Sequence, residues 1–325
     1  MSALHHGRAS ERRRTAHRLM PLVCPDCRVP LDDMRCPSCA TRWPVEHGIA
    51  DFSRGAYYDR FTPADTSLER DREGWAMEVE GARRRIVDFY EPLLRAEGAR
   101  RVLDSGCGNG VSVDLLAERG YDAWGNDLSQ LRQFQWRERH ARERLVVASS
   151  LRLPFPDAYF DAVISSGVIE HIGVAERGVP HYSVAPLPDR DAQRAAFLAE
   201  LFRVTRPGGV VFLDCPNGAF PIDFWHGDRP GAARRHSTRE GFLPTFAEIR
   251  ALVPPGTRVD ALSPYKRLQF HQARRHWYGR LLGPFANAFF ALMPSFIART
   301  AFNPFLVVRL ERRRLDGWPG GVPPP

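Results

Sequence analysis

The stretch Arg101-Val-Leu-Asp-Ser-Gly-Cys-Gly-Asn-Gly110 sets three alternating glycines behind an acid. An apolar run closes on Asp104, glycines follow at 106, 108 and 110, and Val111 to Arg119 carries helical apolar spacing. The pattern predicts a strand, a tight turn and a helix. Glycine has no Cβ, so the turn can take positive φ and a ligand can lie against the main chain. The helix behind it offers N–H groups that lack intrahelical partners. The spacing differs from the Gly-x-Gly-x-x-Gly of dinucleotide folds, and Asp104 at the strand end would repel a pyrophosphate. The loop therefore suits a ligand that carries positive charge.

Outward from this loop, strands and helices alternate. Tyr121 to Asp127 reads as a second strand ending in an acid, placed to accept from both hydroxyls of a ribose. Leu145 to Ala148 is a third strand, and Phe160 to Ser165 a fourth that leads into Val168-Ile169-Glu170-His171. A helix over Phe197 to Arg206 is stopped by Pro207-Gly208-Gly209, and Val210 to Asp214 is the fifth strand. Thr257 to Leu262 and Phe305 to Leu310 are the sixth and seventh. Such alternation implies an α/β fold with a mostly parallel sheet wound on both faces.

With these segments in place, residues 100 to 215 resemble the class I S-adenosylmethionine-dependent methyltransferases, most closely those with small-molecule or lipid acceptors. The resemblance rests on Val-Leu-Asp-x-Gly-Cys-Gly-x-Gly, Gly125-Asn126-Asp127-Leu128-Ser129, Leu153-Pro154-Phe155, Phe160-Asp161-Ala162-Val163, Glu170-His171 and Arg206-Pro207-Gly208-Gly209. It implies a seven-stranded, doubly wound Rossmann-like sheet over 99–262, closed by a last strand in 303–315. It also implies S-adenosyl-L-methionine as cofactor, held by Asp104, Gly106, Cys107, Gly108, Asp127, Leu128, Ser149, Ser150, Leu151 and Ser166. At Cys107 the backbone rather than the sulfur would face the ligand. Ser149 stands where the family often has an aspartate for the adenine amino group. A ligand in an open α/β sheet lies across the carboxyl ends of the strands, which brings Ser166, Glu170 and His171 beside the sulfonium. A hydroxyl acceptor must lose a proton, and histidine titrates near neutral pH. His171 is the expected general base with Glu170 beside it; the alternative is a positioning histidine that opens the next helix. His181, Tyr182, His226 and His236 are reserves on loops over the acceptor. Cys215 has no second cysteine or base beside it in the sequence, which argues against a thiolate nucleophile.

The cysteines at the other end of the chain carry a separate signal. Cys24-Pro-Asp-Cys27 and Cys36-Pro-Ser-Cys39 form two Cys-x-x-Cys knuckles, the spacing that closes four thiolates on one structural Zn2+. Two disulfides are the competing reading, disfavoured by the absence of a signal-peptide pattern near Met1. Residues 20–53 are therefore expected to be a zinc ribbon, with 1–19 a disordered basic arm and 316–325 a disordered tail. The net charge of +8 is weak evidence for a nucleic-acid partner, because Lys266 is the single lysine among 46 basic residues and the bias looks compositional.

Two remaining segments bear on the acceptor. Residues 54–98 read as a helical lid or linker, with Tyr57, Tyr58 and Trp75 as pocket candidates and Arg83-Arg84-Arg85 as a solvated face. Residues 263–302 read as a helical apolar cap inserted before the last strand. Within it, 281–298 lacks charge and has Arg280 and Arg299 at its ends, but Pro284, Asn287 and Pro294 argue against a transmembrane helix. A buried cap is the leading expectation, followed by a peripheral contact at the inner membrane surface and then by a dimer contact. The functional expectation is a cytoplasmic O-methyltransferase acting on a small or lipid-linked acceptor such as a glycan intermediate, polyketide or quinone. RNA methylation with the ribbon as the recognition module ranks second, and a non-catalytic cofactor-binding scaffold third. The sequence sets no oligomeric state.

Overall fold

The computed structural model describes residues 20–59, 72–177, 181–228, 233–268 and 277–313, with the side chains of 72–75, 277–280 and 282 excepted. The basic arm, the far tail and the Trp75 side chain lie outside that set. In chain order the elements are β1 (Val45–Glu46), β2 (Ile49–Asp51), α1 (Arg72–Arg84), a π-helix (Arg85–Tyr90), α2 (Glu91–Ala96), β3 (Arg101–Ser105), α3 (Val111–Glu118), β4 (Asp122–Asp127), α4 (Gln130–Gln135) and β5 (Leu145–Val147). There follow β6 (Phe160–Ser166), β7 (Val174–Arg177), β8 (Ser183–Pro186), α5 (Arg190–Val204), β9 (Thr205–Pro216), β10 (Ile222–Asp223), β11 (Arg234–Arg235), α6 (Phe246–Leu252), β12 (Arg258–Leu262), α7 (Trp277–Ala291), α8 (Ser295–Ala298) and β13 (Phe305–Glu311).

All seven expected strands are present, in a sheet of order β1-β2-β5-β4-β3-β6-β9-β13-β12. The run from β2 to β9 is parallel, and β13 enters antiparallel between β9 and β12. Side chains alternate between the two faces, as a period of two demands. Leu103, Val163, Val211 and Val308 pack on one face with Phe197, Leu198 and Leu201 of α5. Their neighbours Val102, Ala162, Ile164, Phe212 and Val307 pack on the other with Ile86, Phe89, Leu94, Val113 and Leu116.

The expected count of seven is corrected to nine. The tail of the cysteine-bearing segment folds as a hairpin, Val45 opposite Ala50 and Glu46 opposite Ile49. Its two-residue turn, His47-Gly48, has positive φ at both positions (54° and 84°), the turn whose twist matches paired strands. Strand β2 then pairs parallel with β5, Ala50 with Val146 and Asp51 with Val147. Without it β5 would present an unpaired edge. The segment is further bound to the core through Val23 N–H to Pro154 O (3.0 Å) and Arg28 to Glu200 (3.1 Å).

The expectation of a buried cap is also corrected. Helices α7 and α8 do lie between β12 and β13, and Phe290, Met293 and Ala298 pack inward. Leu281, Phe285, Phe289, Leu292 and Phe296 face out, Leu292 at 82% exposure. No helix among the described residues is long and apolar enough to cross a membrane.

Candidate active site

The loop after β3 is held open by its own geometry. Gly106 has φ 81°, and a Cβ there would strike Val168 Cγ2 at 2.3 Å, so only glycine lets the β6 loop close over the turn. Gly108 has φ 55° and no atom within 4 Å of where a Cβ would sit. The Gly106 and Cys107 amides donate to Asn126 O (2.8 and 3.0 Å), and Gly108 N–H donates to Asp127 Oδ2 (2.9 Å). Burial pushes the Asp127 carboxyl above its usual range against the opposing pull of the Gly108 and Leu128 amides. Tyr58, largely exposed, donates its amide to Leu128 O (3.2 Å), so the chain before α1 crosses the end of β4.

Asp104 is fully buried, yet its Oδ1 has no hydrogen-bond partner among the described residues. Its Oδ2 accepts from Arg85 Nη2 at 2.8 Å. This corrects the reading of Arg83-Arg84-Arg85 as a solvated face. Arg83 and Arg84 do pair with Glu80 on the outer surface, but Arg85 opens the π-helix and is turned inward. Helical periodicity could not have found it, because the wider π turn shifts the phase of every side chain after it. Five residues on, Tyr90 donates to Asp214.

Asp214, fully buried at the end of β9, is a hub absent from the sequence reading. It also accepts from Ser166 Oγ (2.7 Å) and from Arg267 Nε (2.8 Å), while Arg267 Nη2 donates to Ser166 Oγ (2.9 Å). Ser166, at the end of β6, is thus committed to this network. The hydroxyls after β5 are engaged too. Ser149 Oγ accepts from Leu151 N–H (3.2 Å), and Ser150 Oγ bonds Ser105 and Asn126. Cys107 and Cys215 are buried, and burial pushes both thiols well above the ordinary range.

Glu170 and His171 lie on a 3-10 turn, Ile169–His171, just past β6. The turn is positioned by Arg194 of α5, itself buried, which donates to Glu170 O (3.1 Å), Ile172 O (3.2 Å) and Phe242 O. His171 Nδ1 lies 2.6 Å from Glu176 Oε1, and Tyr182 OH donates to the other Glu176 oxygen (2.7 Å). Desolvation opposes protonation of His171, but the Glu176 hydrogen bond and the charges of Glu170, Glu176 and Asp223 outweigh it and raise its pKa. Burial likewise raises Glu170, whose Oε2 has no partner among the described residues. Of the reserve residues, His226 joins this cluster with its ring centroid 5.2 Å from that of His171, and Tyr182 stacks on His226. His181 instead pairs with Asp228 on the surface, and His236 bonds Phe220 O.

The four cysteine sulfurs converge as the spacing predicts, all within 4.8 Å of one another, with Cys24 Sγ 3.9 Å from Cys39 Sγ. A disulfide would need about 2.05 Å. Four thiolates at about 2.3 Å from one zinc ion lie roughly 3.8 Å apart, so the donor set fits zinc and not a cross-link. The residue after each knuckle, Arg28 and Ala40, takes positive φ (58° and 59°), which turns the chain back around the sulfurs.

The sheet order, loop and acid pair form a Rossmann-like methyltransferase fold, and residues 103–213 match the family described as a methyltransferase domain. Among curated proteins, a probable S-adenosylmethionine-dependent methyltransferase of Mycolicibacterium smegmatis is 33% identical over 149 residues, 46% of this chain and 50% of that protein. A malonyl-[acyl-carrier protein] O-methyltransferase of Serratia marcescens is 33% identical over 129 residues, 39% of this chain and 43% of that one. The chain thus spans half or less of these relatives' length. A solved phosphoethanolamine N-methyltransferase 2 of Haemonchus contortus, with S-adenosyl-L-methionine, is 16% identical with a TM-score of 0.42, covering 78% of this chain and 61% of that one. The site's chemistry fits the cofactor. The orphaned Asp104 oxygen can accept from an ammonium, Arg85 beside it can meet a carboxylate, and the space over Gly108 leaves room for the ligand.

Proposed function

We propose that this chain methylates a hydroxyl oxygen on a small or lipid-linked acceptor. S-Adenosylmethionine supplies the methyl group: an O–C bond forms as the C–S bond breaks, the electron pair returns to sulfur, and the hydroxyl proton must leave. The observation that carries the reading is the Glu170–His171–His226 cluster, in which Glu170 and His171 stand past the end of β6 on the loop whose Val168 packs against Gly106 and His226 meets them from the loop after β10. In this reading the cluster would supply proton-accepting groups on the acceptor side of the cofactor loop. Asp104 and Arg85 would hold the amino-acid end of the cofactor, Asp127 the ribose, and the Ser149–Leu151 turn the adenine. Aligning the acceptor in line with the methyl group is most of what remains for the protein to do.

The lipid part of the proposal draws on α7 and α8. Leu281, Phe285, Phe289, Leu292 and Phe296 form an outward apolar stripe with Arg280 and Arg299 at its ends. Helix α7 spans 15 residues, about 22 Å against a hydrocarbon core of about 30 Å, so it can lie in an interface but not cross it. The ribbon is assigned a folding role on one Zn2+.

The decisive test is methyl-labelled S-adenosylmethionine incubated with separate RNA, lipid and soluble-metabolite fractions. Label in the lipid or metabolite fraction is expected. Label confined to RNA would overturn the acceptor assignment and make the ribbon a recognition module. Cofactor binding with no label in any fraction would overturn the enzymatic reading.

A further inference from the structure

Glu170, His171 and His226 each offer a donor atom, and the three atoms lie within 4.8 Å of one another. The surroundings of each are those of a metal ligand. His171 Nδ1 is held by Glu176 (2.6 Å) and His226 Nδ1 by Asp223 (3.0 Å to Oδ2). These carboxylates are themselves fixed, Glu176 by the Tyr182 hydroxyl and the fully buried Asp223 by Arg234 Nε (3.2 Å). A carboxylate on one ring nitrogen sets the tautomer and leaves Nε2 as a lone-pair donor, the second-shell pattern that orients metal-bound imidazoles. The third donor, Glu170, is 1% exposed with Oε2 unpartnered among the described residues. A buried carboxylate oxygen without a partner is costly unless something binds it.

We propose that Glu170, His171 and His226 bind one divalent transition-metal ion and leave coordination positions open to the acceptor. Two imidazoles and one carboxylate suit Zn2+, Mn2+, Fe2+ or Co2+, and the lack of sulfur sets the site apart from the cysteine ribbon. His171, with 40% of its side chain exposed, marks the open side. A cation here deepens the proposed function, and its catalytic role rests on that reading while its binding does not. A cation held there would make a bound hydroxyl lose its proton to solvent far more readily, as a metal lowers the pKa of bound water to about 7. The ion would then supply the acidity that releases the hydroxyl proton, and His171 would hold the ion instead of taking the proton itself. The acceptor class follows: a compound with two neighbouring oxygens, such as a vicinal diol, a catechol or an α-hydroxy carbonyl, which chelates the ion and presents one oxygen to the methyl group.

The test is titration of the full chain, its ribbon loaded with zinc, with Co2+ alone. One further equivalent of cobalt is expected, with visible d–d absorption and no sulfur-to-metal charge-transfer band. Glu170→Gln and His226→Gln should each abolish it, and Asp223→Asn should weaken it by about 10–100-fold. S-Adenosylhomocysteine binding, which uses the separate loop after β3, reports that each variant is folded. No cobalt bound by the wild-type chain, or an equivalent that persists in both ligand variants, overturns the site. The two proposals fail separately. Label transfer that continues after cobalt binding is shown absent keeps the methyltransferase reading, and cobalt bound with no transfer to any fraction keeps only the metal site.

Discussion

In the proposed cofactor site, Asp127 would tie ribose binding to pH through a single side chain. Its burial raises its pKa, and a carboxylate must be ionised to accept from both ribose hydroxyls. As pH falls through that raised value the acceptor is lost, so affinity for S-adenosylhomocysteine should weaken on acidification at a higher pH than an ordinary aspartate would give. Calorimetric titration across the acid range checks this, with Asp127→Asn expected to bind weakly and with a flattened pH dependence. At the same scale the turn that carries Asp104, Gly106 and Gly108 and meets Asp127 was legible, because alternating glycines between two acid-ended strands leave the backbone few other conformations. Arg85 was not. Its identity says charge, and whether that charge meets water or a buried acid depends on the turn of helix it occupies.

Among elements, the π-helix and β9 form a clamp. Tyr90 reaches Asp214 from one side and Arg267 from the other, with Ser166 between them. Asp214→Asn would leave the Arg267 guanidinium without its buried counter-charge, and a loss of about 3–5 kcal/mol in urea unfolding is expected. The same change at an exposed acid such as Asp33, whose pair with Arg42 is open to solvent, should cost under about 1 kcal/mol. Helix α7 makes a different prediction. Phe285→Asp with Leu292→Asp should abolish co-sedimentation with anionic liposomes while cofactor affinity stays unchanged, because neither side chain reaches the sheet. If the wild-type chain does not pellet with the vesicles, the interfacial role of the stripe fails. The apolar composition of 281–298 was plain in the sequence; which residues face out was not, since Pro284 lies inside the helix and blurs a simple 3.6-residue count.

Across the whole molecule, the cysteine segment is part of the sheet rather than an appendage. Its strand β2 covers the β5 edge, and Cys24, Cys36 and Trp43 share one apolar cluster with Phe197 and Leu201. Structural zinc contributes about 10–16 kcal/mol of apparent binding free energy in isolated fingers. Chelation should therefore lower the melting temperature of the entire chain in a single calorimetric transition. Two transitions, with the methyltransferase part unmoved, would show the ribbon to be thermally independent. The order of strands and helices, the glycine loop and the cysteine knuckles were all written locally, in spacings of a few residues that each need only their own neighbours to act. The joining of β2 to β5, the inward turn of Arg85, the Asp214 hub and the meeting of His226 with Glu170 and His171 were decided by the tertiary structure alone. Each joins residues far apart in the chain, and burial then removes the water that would otherwise serve as the partner of each charge.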